Sequence, residues 1–476
     1  MSSIRAFFSS ALTISGLVLI LFAAGARAEV FTVNKTADTN DGVCDADCSL
    51  REAIAAAATG DVVQFATPPF NSPQTITLPL GALTITRSIT ILGSGANLLT
   101  IGAGSGSTPP TSRVFLISAA GSTVKLSGMS VFGGGFQPPN SSERGGGILN
   151  ESGTVYLTNL HIYTNAASVG GGIYNSGTMH VLDSTIAGNL ALEQTEGGGG
   201  IGNGGTLTLT NTTVSGNGGE LGRDILNNGG TITLTNSSIG SGASDNRPVI
   251  FNKQNTTMII RNTIVAGGVT SSSNTVFTSQ GNNLVQSASG TPIGWVASDL
   301  LGVNPQLSPL ANNGGQTPTH ALMAGSPAIN GGNNALAINP VSDLPLQLDQ
   351  RLYNRIVGGT VDIGAYEANS SPAGFVTLRS QITTTANSRG IHGAVAVLRF
   401  VDTGEIRYGV TNPFGYVHFN NIPMGATVII TFTHKRYKIA PRVITATGEV
   451  HYLGSESNRK SEAVSASFWS EDMVEN

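Results

Sequence analysis

The middle of the chain repeats an apolar pattern about every 25 residues. Its aligned isoleucines follow one another in steps of 25, 28, 24 and 25 residues, and they are Ile148, Ile173, Ile201, Ile225 and Ile250. Each repeat adds a pair of alternating apolar residues, such as Val155 and Leu157, and a third apolar position, such as Ile162. Because one unit of this length cannot bury its own apolar side, the period predicts a stacked array.

Three apolar clusters per repeat, separated by turns, predict three short strands per coil. This is typical of a parallel β-helix, in which inward columns stack on coils that rise by about 4.8 Å. A polar column comes three positions before each third apolar cluster, and its members are Asn159, Asp183, Asn211, Asn236 and Asn262. Asn tolerates the left-handed conformation that a corner needs, so we expect this column at the corners, with Asp183 standing in for Asn.

The region from residue 29 to 60 is predicted to form an N-terminal cap. Val30 to Val33 has the composition of a short strand. Ser49 and Glu52 have the spacing of a capping box, in which each side chain bonds the backbone amide of the other. The alanine run behind them favours a helix over 50–58, ended by Gly60. Such a helix would cover the exposed edge of the first strands.

The pattern changes twice after the repeats. From 299 to 367 the period loosens into a Pro- and Gly-rich segment, which we take as the end of a β-helix that spans 61–367. After a linker, regular strand runs between 374 and 450 predict a small antiparallel β-sandwich. Residues 451–476 are predicted to be a polar, disordered tail.

Composition narrows the classes of function. Only 11% of the residues are charged and the net charge is −4, with no basic block, so we expect no nucleic acid as a partner. Residues 1–28 resemble a secretory signal peptide, with Arg5, a short apolar core and a small-x-small site at Ala26 to Ala28. We therefore expect a secreted or cell-surface protein without a transmembrane segment after cleavage. An uncleaved anchor is the alternative.

Two candidate polar features lie in the N-terminal cap. The two cysteines are Cys44 and Cys48, and an oxidising compartment favours a disulfide between them, with free thiols as the alternative. The surrounding loop carries four carboxylates that could bind calcium, namely Asp38, Asp41, Asp45 and Asp47. Their spacing is not that of an EF-hand, and the alternative is an acidic turn closed by the disulfide.

A second candidate site is a corner of the β-helix. Glu193, Glu220 and Asp245 lie 20, 19 and 20 residues after Ile173, Ile201 and Ile225, so they fall on the same corner of successive coils. Stacked carboxylates repel unless a cation lies between them, and Arg223 and Arg247 are near in the sequence. We therefore consider a corner that binds a cation or a glycan. The alternative is three solvated loop residues that splay apart.

Three segments resemble known families. Cys48 to Ala53 reads Cys-Ser-Leu-Arg-Glu-Ala and matches the signature of the CSLREA-motif domain. Leu307 to Glu367 resembles the choice-of-anchor Q domain of exported bacterial proteins, and the matching residues are Asn313 to Leu322, Gly325 to Ile329, Asp349 to Arg351 and Asp362 to Glu367. The region 374–450 resembles a carboxypeptidase regulatory-like domain. These resemblances imply a right-handed parallel β-helix of the pectate-lyase-like class, secreted or at the cell surface, with an activity that is mostly undefined.

These observations favour a non-catalytic scaffold that contacts glycans or adheres to a surface. No cofactor is required by this interpretation, although calcium would fit an acidic site, and the expected partner is a polysaccharide or a cell-surface glycan. The competing class is a polysaccharide lyase or glycoside hydrolase, which would need a convergent acid–base cluster on one face. The sequence does not clearly contain one, and we assign no catalytic residue.

Overall fold

The computed structural model describes residues 29–103, 112–135, 143–193, 197–241, 247–287, 292–372, 374–384, 389–400, 406–423, 426–437, 442–446, 451–453 and 464–472. Their regular structure is almost entirely β, with one α-helix at Leu50–Ala56 and one 3₁₀ turn at Asn334–Leu336. No helix in these residues is long and apolar enough to cross a membrane.

Parallel strands stack coil on coil through most of the chain. Ile173 pairs with Ile148 on one side and with Ile201 on the other, and the ladder continues through Ile225 to Ile250. The register is the one that the repeat predicts, because each isoleucine lies on its counterpart in the next coil. The prediction of a right-handed parallel β-helix is confirmed.

Each coil contributes strands to three faces, which we call the first, second and third face in chain order. The first-face strands are Leu83–Ile85, Ile173–Asn175, Ile201–Asn203, Ile225–Asn227 and Ile250–Asn252. The second-face strands are Val30–Val33, Val62–Phe65, Thr90–Leu92, Thr178–Leu182, Thr206–Thr210, Thr231–Thr235, Thr257–Arg261 and Val276–Gly281. The third-face strands are Gln74–Thr77, Leu99–Gly102, Thr185–Ala187, Thr213–Ser215, Ser238–Ile239, Leu284–Ser287 and Leu300–Leu301.

Some strands continue around the corners. Phe115–Phe132 and Ile148–Tyr163 each pass through all three faces, and Ile264–Ser271 passes from the third face to the first. Ala166–Ala167 and Leu190–Ala191 form a small separate pair at the corner between the third and first faces. The apolar columns point inward, so one continuous core runs along the axis.

Two kinds of asparagine column stabilise the corners. Asn159, Asp183, Asn211, Asn236 and Asn262 all have φ between 45° and 53°, which is the left-handed conformation predicted for this column. A second column donates amide to amide from coil to coil, from Asn150 through Asn175, Asn203 and Asn227 to Asn252, at 2.8–3.3 Å. Its members are buried, so the ladder satisfies polar groups that no water reaches.

The glycine runs before the isoleucines follow from close packing at these corners. A Cβ atom on Gly172 would lie 2.7 Å from the carbonyl oxygen of Gly200 and 3.0 Å from the side chain of Asn189. Gly170 also has a φ of +63°, which an L side chain adopts only with strain.

The N-terminal cap contains the predicted capping box. Ser49 accepts from the Glu52 amide, and Glu52 accepts from the Ser49 amide. Leu50, Ala53 and Ile54 are buried, and the helix packs on the first strands. The helix ends at Ala56 rather than at 58, because Ala57 is extended, with a ψ of 131°. The predicted disulfide between Cys44 and Cys48 is present.

Residues 304–367, which we call the fold-back segment, return along the outside of the β-helix. The sequence placed this region at the end of the stack, whereas only Leu300–Leu301 continue the stack there. Thr213 donates to Gln350 at 2.6 Å, Thr185 donates to the carbonyl of Pro318 at 2.5 Å, and Ser238 accepts from the Ala365 amide at 3.0 Å. The outer hydroxyls of the third face supply these partners over several coils.

The C-terminal region forms two antiparallel sheets, as predicted for a sandwich. One sheet contains Phe375–Thr384, Tyr416–Pro423, His451–Leu453 and Val464–Asp472, and the other contains Val395–Phe400, Ile406–Val410, Thr427–Thr433 and Arg442–Thr445. The sequence assigned 451–476 to a disordered tail, but Val464–Asp472 is a strand that pairs with Val376 to Thr384. Alternating Val464, Ala466 and Phe468 give this segment the period of a strand.

Candidate functional site

The outer surface of the second face aligns one side chain per coil. In each strand, the residue between two inward apolar residues points outward. Register places Thr90, Lys125, Tyr156, His180 and Thr208 in one line across successive coils. With a rise of about 4.8 Å per coil, this line is about 19 Å long.

Three members of this line, Lys125, Tyr156 and His180, form what we call the ring column. The Lys125 Nζ atom lies 5.5 Å from the centroid of the Tyr156 ring. The rings of Tyr156 and His180 are 4.8 Å apart, with 35° between their planes. All three side chains are only partly buried, so parts of both rings and of the Lys125 side chain are exposed to solvent.

The ring column forms the floor of a cleft of about 960 Å³, open solvent included. The fold-back segment contributes Asn339, Val341 and Ser342 to its lining, and the sandwich contributes Arg399 and Ile406. The lining also includes apolar residues such as Leu92 and Val181, together with the threonines Thr90, Thr123, Thr158, Thr208 and Thr210. The cleft is therefore assembled from three distant parts of the chain.

A residue of the sandwich, Tyr408, contacts this floor. The Tyr408 hydroxyl bonds to Thr90, and Tyr408 lies in the same strand as Ile406. Burial raises the pKa of Tyr408, and the bond to Thr90 lowers the pKa in part. The sandwich strand thus lies against the second face, next to the ring column.

The electrostatics of the cleft are positive. Burial lowers the pKa of Lys125, and the nearby charge of Arg399 lowers it further. Burial also lowers the pKa of His180, whose Nδ1 atom is buried without a hydrogen-bond partner among the described residues. The described residues that line the cleft include no Asp or Glu. The site can therefore offer rings, hydroxyls and cations, but no carboxylate from these residues.

The predicted carboxylate corner is only partly described. Glu193 and Glu220 both lie between the third and first faces, near the bridge that joins Leu190 to Gly218. The Glu220 side chain is 58% exposed, and its Oε2 atom lies 3.7 Å from Arg247, which is a weak surface ion pair. Asp245 lies outside the described residues. The corner as a three-carboxylate site therefore stays a prediction.

The carboxylates of the acidic loop turn to different partners. Asp38 accepts from Arg51 at 2.7 and 2.9 Å, and Asp47 accepts from Lys35 at 2.9 Å. Asp41 and Asp45 accept from backbone amides two residues ahead, in local turns. In the described part of the chain, no three His, Cys, Asp or Glu residues come together as metal ligands. Calcium binding at this loop therefore stays a prediction.

Asp183 occupies the place that the sequence predicts for it. It accepts from the Asn211 side-chain amide at 3.2 Å and is 2% exposed, so it acts as a member of the corner column.

The sequence interpretation missed the ring column, although it contained the signal. Lys125, Tyr156 and His180 are not among the candidate residues predicted from the sequence. Each lies between the paired apolar residues of its repeat, so aligning those pairs would have stacked all three. Arg399 had no such signal, because no pattern fixes where a sandwich docks.

Comparisons with known proteins give only a likeness in fold. No protein-family model matches the chain, and no curated protein matches it. The chain is similar to the crystal structure of pectate lyase Pel9A, with a TM-score of 0.46 and 16% sequence identity. That match covers 72% of this chain and 98% of the lyase chain. We transfer no ligand or reaction from this similarity, and the three family resemblances noted in the sequence stay predictions.

Proposed function

We propose that this protein is an exported β-helix scaffold that holds a glycan chain in the second-face cleft without cleaving it. The observation that carries the proposal is the ring column, in which the tilted rings of Tyr156 and His180 lie 4.8 Å apart beside Lys125 on successive coils. A sugar ring has one face of C–H bonds and an edge of hydroxyls. The exposed parts of the two rings, with the polar groups that line the cleft, would contact these two parts of a sugar.

Export is supported by sequence and covalent structure together. Residues 1–28 resemble a signal peptide, and they lie outside the described residues. The Cys44–Cys48 disulfide is the kind of bond that persists in an oxidising compartment. The same proposal includes a CSLREA-like cap at 29–60, a choice-of-anchor Q-like segment at 299–367 and a carboxypeptidase regulatory-like sandwich.

The proposal favours binding over catalysis on chemical grounds. Glycoside hydrolysis uses a pair of carboxyl groups, and a lyase needs a base beside a carboxylate-bound cation. The lining described for the cleft supplies a cation, Lys125, but no carboxylate partner. A lyase or hydrolase therefore remains the alternative that a cleavage assay must exclude.

The test measures retention and cleavage on the same glycans. The purified protein is titrated with a panel of neutral and acidic oligosaccharides, while new reducing ends and unsaturated products are followed. We expect binding without cleavage. Tyr156→Ala and His180→Ala should each weaken binding about tenfold, because each removes one stacking ring. Tyr156→Phe should bind almost as well as the wild type, because it keeps the ring.

Thr233→Ala is the matched control. Thr233 continues the same outward line one coil beyond Thr208, but it does not line the cleft. Its substitution should leave affinity unchanged. Equal affinity for Tyr156→Ala and wild type, or no binding to any glycan, would contradict the proposal. Cleavage that disappears in Lys125→Gln would replace it with the enzyme alternative.

A further inference from the structure

Two cations face the same cleft from different parts of the molecule. Lys125 projects from the second face, and Arg399 projects from the sandwich strand Val395–Phe400. Burial lowers the pKa of Lys125, and the charge of Arg399 lowers it further. The contact found for the Lys125 ammonium among the described residues is with the Tyr156 ring. Neither cation forms a salt bridge within that part of the chain.

This arrangement costs free energy when the cleft is empty. Like charges repel more strongly as water is displaced from between them, and Lys125 is already partly removed from water. The described lining residues include no Asp or Glu to offset the two charges. An anion between Lys125 and Arg399 would remove the repulsion and would gain charge-assisted hydrogen bonds from both.

We propose that the ligand of the cleft is an acidic saccharide, whose carboxylate or sulfate group is held between Lys125 and Arg399. This inference rests on the proposed glycan-binding function and makes the sandwich one half of the binding site. Arg399 suits the role, because a guanidinium bonds a carboxylate or sulfate with two parallel N–H groups. Tyr156 and His180 would then stack against the sugar ring that carries the acid.

The Tyr408–Thr90 bond joins the two halves of this site, because it links the sandwich strand to the second face. Asn339 and Ser342 of the fold-back segment give the lining further polar groups for sugar hydroxyls. Binding of an acidic ligand should therefore tighten the contact between the sandwich and the β-helix.

The experiment compares matched sugars on matched variants. Isothermal titration measures the affinity of the full protein for a uronic acid oligosaccharide, its neutral methyl ester and a sulfated oligosaccharide of equal length. We expect the best acidic form to bind at least about tenfold more tightly than the methyl ester. Its affinity should fall as salt is raised, because the added contact is ionic. Whichever acidic form binds more tightly identifies the group.

The variants localise the effect. Lys125→Gln and Arg399→Gln should each lose about tenfold in affinity for the acidic sugar and little for the methyl ester. Lys435→Gln changes the net charge equally but lies outside the cleft, so it should bind like the wild type. Melting temperatures close to that of the wild type would show that all three variants fold.

The outcomes separate the two proposals. If the methyl ester binds as tightly as the acid, or if Lys125→Gln and Arg399→Gln bind the acid normally, the acidic-ligand inference is overturned while glycan binding stands. If no sugar binds under any condition, the proposed function itself fails.

Discussion

At the scale of single residues, the corner column shows how much a repeat can specify. The spacing of Asn159, Asp183, Asn211, Asn236 and Asn262 predicted a corner with left-handed backbone, and every φ in the column is positive. The chemistry follows from the side chain, since Asn and Asp adopt this region with less strain than other residues that have a Cβ atom. Such local rules can be read from sequence because each acts within one coil.

Asn236 offers a direct test of this argument. Its φ is 45°, and its Oδ1 atom accepts from Asn262 at 3.4 Å. Asn236→Gly and Asn236→Ala both lose that bond, but only alanine has a Cβ atom that is strained in the left-handed conformation. We expect Asn236→Gly to be more stable than Asn236→Ala by about 1 kcal/mol, measured as the free energy of unfolding in urea.

A control position outside the left-handed region should give the opposite order of stability for its glycine and alanine variants. Asn228 lies one residue beyond the amide ladder, and its φ is not positive. Asn228→Gly should be less stable than Asn228→Ala, because glycine loses more backbone freedom on folding and there is no strain for it to relieve. If alanine is also the better substitute at 236, strain does not govern the corner column.

The candidate site was harder to predict than the column. Register alone stacks Tyr156 on His180, so that part could have been found from the sequence. Arg399 could not, because its place in the cleft depends on how the sandwich packs on the second face. That packing involves the Tyr408–Thr90 bond, between residues more than 300 positions apart, and no sequence period encodes it.

At the scale of elements, the N-terminal cap is organised around one buried carboxylate. Glu52 is 1% exposed, and its oxygens accept from the Ser49 amide at 2.7 Å, the Asp41 amide at 3.2 Å and the Thr39 hydroxyl at 2.9 Å. The capping box was predictable, because its partners are three residues apart. The bonds from Thr39 and Asp41, which are 13 and 11 residues away in the sequence, could not be predicted, because they depend on how the acidic loop folds over the helix.

These bonds make the cap sensitive to acid. Burial alone would raise the pKa of Glu52, but the bonds from Ser49, Asp41 and Thr39 outweigh it and lower the pKa to about 2, from 4.5 in the unfolded chain. The stabilisation is therefore present above pH 4.5 and is lost as the pH falls through 2, by about 3 kcal/mol in all. Glu52→Gln should lower the melting temperature at pH 6 and flatten its decline in acid.

Glu151→Gln serves as the control for this change. Glu151 is exposed, so its variant should follow the wild-type melting curve from pH 2 to 7. A Glu52→Gln protein with an acid decline as steep as that of the wild type would show that the carboxylate does not control the cap.

The fold-back segment marks the limit of prediction at this scale. The sequence pattern loosened near residue 299, but the prediction extended the stack to residue 367, whereas the last parallel strand is Leu300–Leu301. It did not predict the return path, because that path depends on single bonds between remote residues. The Gln350 side chain bonds to Thr185 and Thr213, which lie on different coils of the third face, and to Thr317 of the fold-back segment. Hydroxyl groups of this kind occur throughout the chain and carry no distinguishing period.

At the scale of the whole molecule, the cleft exists only because three parts of the chain converge. The stack supplies a flat floor, the fold-back segment supplies Asn339 and Ser342, and the sandwich supplies Arg399. Loosening either of the two outer parts should therefore weaken binding even where the floor is intact. A change of pH is one way to loosen the fold-back segment, because this segment contains the buried carboxyl group of Glu367.

Glu367 makes the fold-back segment sensitive to pH in the direction opposite to that of the cap. Burial raises its pKa to about 7, although the charge of Arg355 and backbone amide bonds act against the rise. Since this value lies above the 4.5 of the unfolded chain, the folded state retains a proton that the unfolded state loses. The stabilisation is complete below pH 4.5 and is lost as the pH rises through 7. The two carboxylates together favour a weakly acidic optimum.

We predict that Glu367→Gln removes the loss at higher pH, because glutamine stays neutral. Limited proteolysis of residues 304–367 should be faster at pH 8 than at pH 5 in the wild type, and nearly equal at both in Glu367→Gln. Glu151→Gln should behave like the wild type, which controls for the pH dependence of the protease. Because Glu52 and Glu367 lie in separate elements, their effects should add, and Glu52→Gln/Glu367→Gln should give the flattest melting profile from pH 2 to 8. Wild-type proteolysis that is slower at pH 8, or a Glu367→Gln variant with the wild-type pH dependence, would mean that this carboxyl group is ionised in the folded protein at pH 5 and that Arg355 outweighs its burial.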